Sequence, residues 1–100
     1  MKTFRALEFI PHPIGRGQQA SMDFDNDFGV SVLLGDTFYS DGISTYEVAI
    51  LKFGSVCYST PITGDVLGYL NREEVSNTMI AVQELSQAVK DPEDPEDPED

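Results

Sequence analysis

Three aspartates at alternate positions, Asp23, Asp25 and Asp27, precede Gly29 and have the spacing with which a calcium loop begins. Such a loop also needs a glycine at its sixth position, where the chain turns sharply, and a bidentate glutamate at its twelfth. Counted from Asp23, those positions hold Phe28 and Leu34. The aspartates therefore read as a solvated hairpin turn, and no metal site is expected. A second group is basic. Lys2, Arg5 and Arg16 are half of the 6 Lys and Arg residues, and Arg16 lies between Gly15 and Gly17, whose bare backbone lets amides approach an anion. No strand–loop–helix phosphate motif surrounds them, so the reading stays between a small anion-binding corner and an ordinary loop. His12 stands between Pro11 and Pro13, with no orienting carboxylate or nucleophile that the sequence can place beside it. Cys57, between Val56 and Tyr58, has the setting of a buried, inert thiol. No Gly-x-Ser-x-Gly elbow, Walker loop or dinucleotide fingerprint occurs. These parts form no catalytic constellation, and the chain is expected to be neither an enzyme nor a cofactor carrier.

Whatever positions these residues must be built from 100 residues, enough for one domain with one modest core. The 18 acidic residues against 6 basic ones give a formal charge of −12. That balance argues against direct binding to bulk nucleic acid or to an anionic membrane, since both need clustered Lys and Arg. One Cys and one His exclude an intramolecular disulfide framework and a multi-Cys or His-rich metal centre. No apolar run approaches the roughly 18 residues of a membrane span, and the opening MKTFRALEF has no continuous apolar stretch. Neither a span nor a signal peptide is expected, and the expected compartment is the cytoplasm.

Residues 91–100 repeat Asp-Pro-Glu and hold 7 of the 18 acids, leaving 11 acids and 6 bases in residues 1–90. Proline at every third position forbids a continuous helix, and nothing apolar is there to bury, so a disordered acidic tail is expected. Its removal should leave the thermal midpoint nearly unchanged. Before it, Asn71 and Glu74 have the spacing of a capping box. Val75, Met79, Val82, Leu85 or Ser86, and Val89 then recur at three- and four-residue steps, which predicts an amphipathic helix over about 72–89. Alternation at Phe28, Val30, Val32 and Leu34, at Tyr46, Val48 and Ile50, and at Val56 and Tyr58 predicts half-buried strands. Residues 18–25 are expected to pair with 28–34 across a turn at Asn26. Residues 3–9 read as a further strand and 65–70 as one helical turn. The sum over residues 1–90 is a single α+β domain: a small antiparallel sheet of three to five strands with one C-terminal amphipathic helix packed on it.

Phe38 and Tyr39 lie in a polar Gly, Asp and Ser surround, which suits either an exposed anchor for a partner or a cap on one open end of the sheet. Three segments also occur in a suggestive order: Asn26-Asp27-Phe28-Gly29, Tyr46-Glu47-Val48-Ala49-Ile50, and Thr60-Pro61-Ile62-Thr63-Gly64-Asp65-Val66. Together they resemble a class of short bacteriophage and prophage proteins of unassigned function. In that class an Asn-Gly-Tyr-Gly turn, a Tyr-Glu-Leu-Ala-Val strand and a Thr-Pro-Ile-Thr-Asp-Asp-Val segment recur. This chain departs from the pattern at Asp27 and Phe28 and at Gly64. The resemblance covers about half of the chain and implies phage origin and a life inside a bacterial host. It carries over no catalytic residue.

From phage origin and acidity together, the expected function is binding. The chain would inhibit a basic host nucleic-acid-handling or anti-phage defence protein by occupying its positive surface, as a nucleic-acid mimic does. The expected contact residues are Asp23, Asp25, Asp27, Asp36, Phe38, Tyr39, Asp41, Glu73, Glu74 and Glu84. One alternative is an oligomeric binder or sponge for a nucleotide held by Lys2, Arg5 and Arg16. Another is an accessory phage protein without inhibitory role.

Overall fold

The computed structural model describes residues 1–13, 17–36, 38–62 and 66–85. The acidic repeat and Arg16 lie outside these residues. A six-stranded antiparallel sheet carries one helix, so the chain has the expected α+β arrangement. The strands are β1 (Ile10–Pro11), β2 (Gln18–Asp23), β3 (Phe28–Leu34), β4 (Tyr46–Lys52), β5 (Ser55–Val56) and β6 (Leu67–Leu70), and the helix is α1 (Arg72–Gln83). β1 to β5 are neighbours in chain order, and β6 pairs with β4 on the side that β5 also uses. No helix among the described residues is long and apolar enough to cross a membrane.

Alternation sets the register. Val30 faces Ile50 and Val32 faces Val48, while Met22 and Ala20 lie opposite the same two β3 residues. This face carries Phe28, Val30, Val32, Val48 and Ile50, none more than 1% exposed. α1 closes it with Val75, Met79 and Val82, all fully buried and spaced four and three residues apart. Burying each such side chain stabilises the fold by about 1.5–3 kcal/mol. The alternation also brings Lys52 onto this face opposite Phe28. Its Nζ lies 4.9 Å from the Phe28 ring centroid, so the ring face meets the ammonium at the edge of the core. Cys57 is 1% exposed within the core, with Sγ 3.4 Å from Ser59 Oγ.

Three expectations are corrected. Residues 3–9 form no strand; a 3-10 turn at Phe4–Ala6 takes their place. Phe4 and Leu7, three apart, both pack against the core, and the Phe4 amide donates to Ser76 Oγ at 3.0 Å. Phe4, Phe9 and Tyr46 then cluster with ring centroids 5.1–5.8 Å apart. Residues 67–70 are a strand, not a helical turn. Leu67 and Leu70 face Val48 and Tyr46, and the extra residue between them is a β-bulge, which gives a strand a helix-like spacing of three. Finally, α1 ends at Gln83, with Glu84 and Leu85 no longer helical, and the expected continuation over 86–89 lies outside the described residues. The reason is tertiary. The Asn26 side-chain amide donates to the carbonyls of Val82 (2.9 Å), Gln83 (3.2 Å) and Leu85 (3.0 Å), so a β-turn residue caps the last helical turn. At the other end the capping box forms as expected. Glu74 N–H donates to Asn71 Oδ1 at 2.8 Å and Asn71 N–H to Glu74 Oε1 at 2.9 Å.

Candidate functional site

The expected contact residues divide between the two ends of the sheet. At one end lie the β2–β3 turn, the β4–β5 turn and the end of α1. The Asn26 cap draws the acidic turn, with Asp23, Asp25 and Asp27, against the helix end that carries Glu84. Phe53, in the neighbouring turn, donates its N–H to the Asp27 carbonyl at 2.9 Å and is 63% exposed. A groove of about 680 Å³ runs beside the acidic turn, lined by Met1, Lys2, Asp23, Asp25 and Gln83 among others. Lys2 is fixed there by its backbone: its N–H donates to Gln83 Oε1 at 2.9 Å and its carbonyl accepts from Gln83 Nε2 at 2.7 Å. The carboxylates of Asp23, Asp25, Glu73 and Glu84 have neither hydrogen-bond nor ion-pair partner among the described residues. No three His, Cys, Asp or Glu side chains among those residues are grouped to hold a metal ion.

The loop between β3 and β4 occupies the other end. Ser40, buried, organises it: its hydroxyl donates to the Thr45 carbonyl at 2.6 Å and accepts from the amides of Gly35 and Gly42. Asp41 holds the next turn. One carboxylate oxygen accepts from the amides of Ile43, Ser44 and Thr45 at 2.8–2.9 Å, and these bonds hold its carboxyl far below the usual carboxylate range. The Asp41 carboxylate is thus a loop fastener as well as a surface charge. Asp36 is exposed beside it along a groove of about 440 Å³ that also includes Gly42 and Ile43. Phe38 is half-buried, with its ring 5.1 Å from that of His12, whereas Tyr39 is 57% exposed.

Tyr39 does not stand alone, and this the sequence did not reveal. Its N–H donates to Glu47 Oε1 and its carbonyl accepts from Tyr69 N–H, both at 2.9 Å. The Tyr39 and Tyr69 rings lie 6.4 Å apart at 59°. Glu47 alternates with the core residues Tyr46 and Val48 and so faces away from α1, and the Gly68–Tyr69 bulge lies opposite it. Tyr69 has φ 57, the left-handed region that bulky residues avoid. Gly68 is needed for a different reason: a Cβ there would stand 2.7 Å from Tyr39 Cβ. The signal available in the sequence was that glycine beside a tyrosine in a segment without clear alternation.

Among the described residues, the basic ones are spread out. Lys2 lies by the acidic turn, whereas Arg5 lines a separate groove of about 610 Å³ with Arg72, Glu73 and Phe4 at the start of α1. Arg72 sits over the Phe4 ring at 5.4 Å. Glu73 is exposed there, while the Glu74 carboxylate is committed to the capping box. Comparison with family models, with curated proteins and with solved structures finds no match for this chain.

Proposed function

We propose that this protein works by binding: it occupies the basic surface of a nucleic-acid-handling or anti-phage defence protein in the cytoplasm of a bacterial host and blocks it. The observation that supports this reading most is the set of exposed carboxylates at Asp23, Asp25, Glu73 and Glu84, which find no partner among the described residues. A chain with 18 acids and 6 bases cannot neutralise itself, and a cationic partner would gain from meeting these groups. The acidic turn is also held in place, because Asn26 ties it to α1, so its charges form a fixed pattern and lose little ordering entropy on contact.

The test is affinity capture from bacterial lysate at two ionic strengths, with the captured proteins identified by mass spectrometry. Recovery of a basic nucleic-acid-handling protein at low salt and its loss at high salt supports the reading. Recovery that does not change with salt overturns charge mimicry.

A further inference from the structure

We infer that Tyr39, Tyr69 and Glu47 form a receptor for a guanidinium group, and that its occupant is an arginine side chain of the basic partner. The inference rests on the proposed reading in one respect, that the partner is basic. Two tyrosines, 57% and 59% exposed, have ring centroids 6.4 Å apart inclined at 59°, so both present aromatic surface to solvent beside one another. A cation is attracted to a ring face within about 6 Å of its centroid, so one guanidinium can meet both.

The pair is built and held. Tyr39 is fixed through its backbone on both sides, by the Glu47 carboxylate and by the Tyr69 amide. The missing side chain at Gly68 provides the space for Tyr39, and Tyr69 is kept in a left-handed conformation that suits glycine or asparagine better. A strained aromatic on a bulge, held open to solvent, is the kind of outlier found where a fold presents a side chain for contact. Glu47 supplies the anion. One of its oxygens accepts from Tyr39, and the other has no hydrogen-bond partner among the described residues. A planar guanidinium can lie against a ring and still direct N–H groups at that oxygen, which a compact ammonium cannot do equally well. The site therefore distinguishes arginine from lysine, whereas the carboxylates at the far end of the sheet respond to either.

The test titrates the full chain at low salt with an arginine-rich peptide and a lysine-rich peptide of equal length and charge. The wild type is compared with Tyr69→Asn, Tyr39→Ala and Glu47→Gln. Asparagine tolerates the left-handed φ at position 69, and Glu47→Gln keeps a side-chain oxygen for the Tyr39 amide while removing the charge. A cooperative thermal transition confirms that each variant folds, with Tyr69→Asn free to melt somewhat higher because it relieves the left-handed φ. The expected result is an arginine preference of about fivefold in the wild type, lost in Tyr69→Asn and in Tyr39→Ala and reduced in Glu47→Gln. Equal binding of the two peptides to the wild type, or a preference that survives loss of either ring, overturns the receptor. If both peptides bind equally and release with salt, the receptor falls and the basic-partner reading stands. If neither binds, both fall.

Discussion

Replacing Asn26 tests whether one turn residue holds the helix and the sheet together. Its amide serves three carbonyls at 2.9–3.2 Å, and its carbonyl oxygen accepts from Phe28 N–H at 3.2 Å. Two of these bonds at about 0.5–1.5 kcal/mol each, plus the cost of leaving half-buried carbonyls unpaired, give a loss of about 2 kcal/mol for Asn26→Ala. In a domain of this size that lowers the thermal midpoint by about 10 °C. Asn26→Asp is nearly isosteric but loses both donors and sets a carboxylate against carbonyl oxygens at the negative end of α1, flanked by Asp25 and Asp27. It should cost about 1 kcal/mol more than the alanine change at neutral pH. The sign of its pH dependence follows. The native state disfavours the charged form, so the introduced carboxyl has a folded pKa above its unfolded value of about 3.9. Its relative stability is fully present below that value and is lost as pH rises through the folded pKa. Urea denaturation of the wild type and both variants, followed by circular dichroism at several pH values, reads these differences. Stabilities of both variants within about 0.5 kcal/mol of wild type would refute the capping argument. An aspartate variant that matches the alanine variant at every pH would refute its electrostatic part.

Phe53→Asn should raise stability by about 0.5–1 kcal/mol, read from the urea midpoint, because φ 51 in this two-residue turn suits asparagine and the Phe53 ring is mostly exposed. Asp41→Ala should accelerate hydrogen exchange at the amides of Ile43, Ser44 and Thr45, which its carboxylate now accepts. Because the folded pKa of Asp41 is depressed, its contribution is present above the unfolded pKa and is lost only as pH falls through the depressed folded value. Its carboxyl resonance should accordingly titrate at lower pH than that of an aspartate in the unfolded chain. Met79→Ala removes a fully buried side chain between α1 and the sheet and should cost about 2–5 kcal/mol in the same urea assay.

The parts of this fold that are legible in the sequence are those governed by local periodicity. Phe28, Val30 and Val32 announce both a strand and its buried face, and Asn71 with Glu74 marks where α1 begins. Distant contacts decide the rest. Phe4 and Leu7 obey a three-residue spacing because they fold onto α1 and the core, and the bulge at Gly68 and Tyr69 hides a strand behind the spacing of a helix. The end of α1 is set by Asn26, 56 positions before Val82, which no scan of the helix itself could find. The same holds for the candidate site. The acidic turn is visible as a run of aspartates, but the partner of Tyr39 is Tyr69 of β6, brought close by the pairing of that strand with β4.

The chain-order arrangement of β1 to β5 has a consequence during synthesis. Every strand up to β5 finds its neighbour among residues that precede α1, so the sheet can assemble as it leaves the ribosome while α1 is still held in the exit tunnel. For the time needed to add about thirty further residues, roughly 2–6 s at ordinary elongation rates, the valines and isoleucine of the inner face await their cover. Nascent chains stalled in that interval should adhere to chaperones or to one another, and those stalled behind an added C-terminal extension long enough to bring the helix out of the tunnel should not.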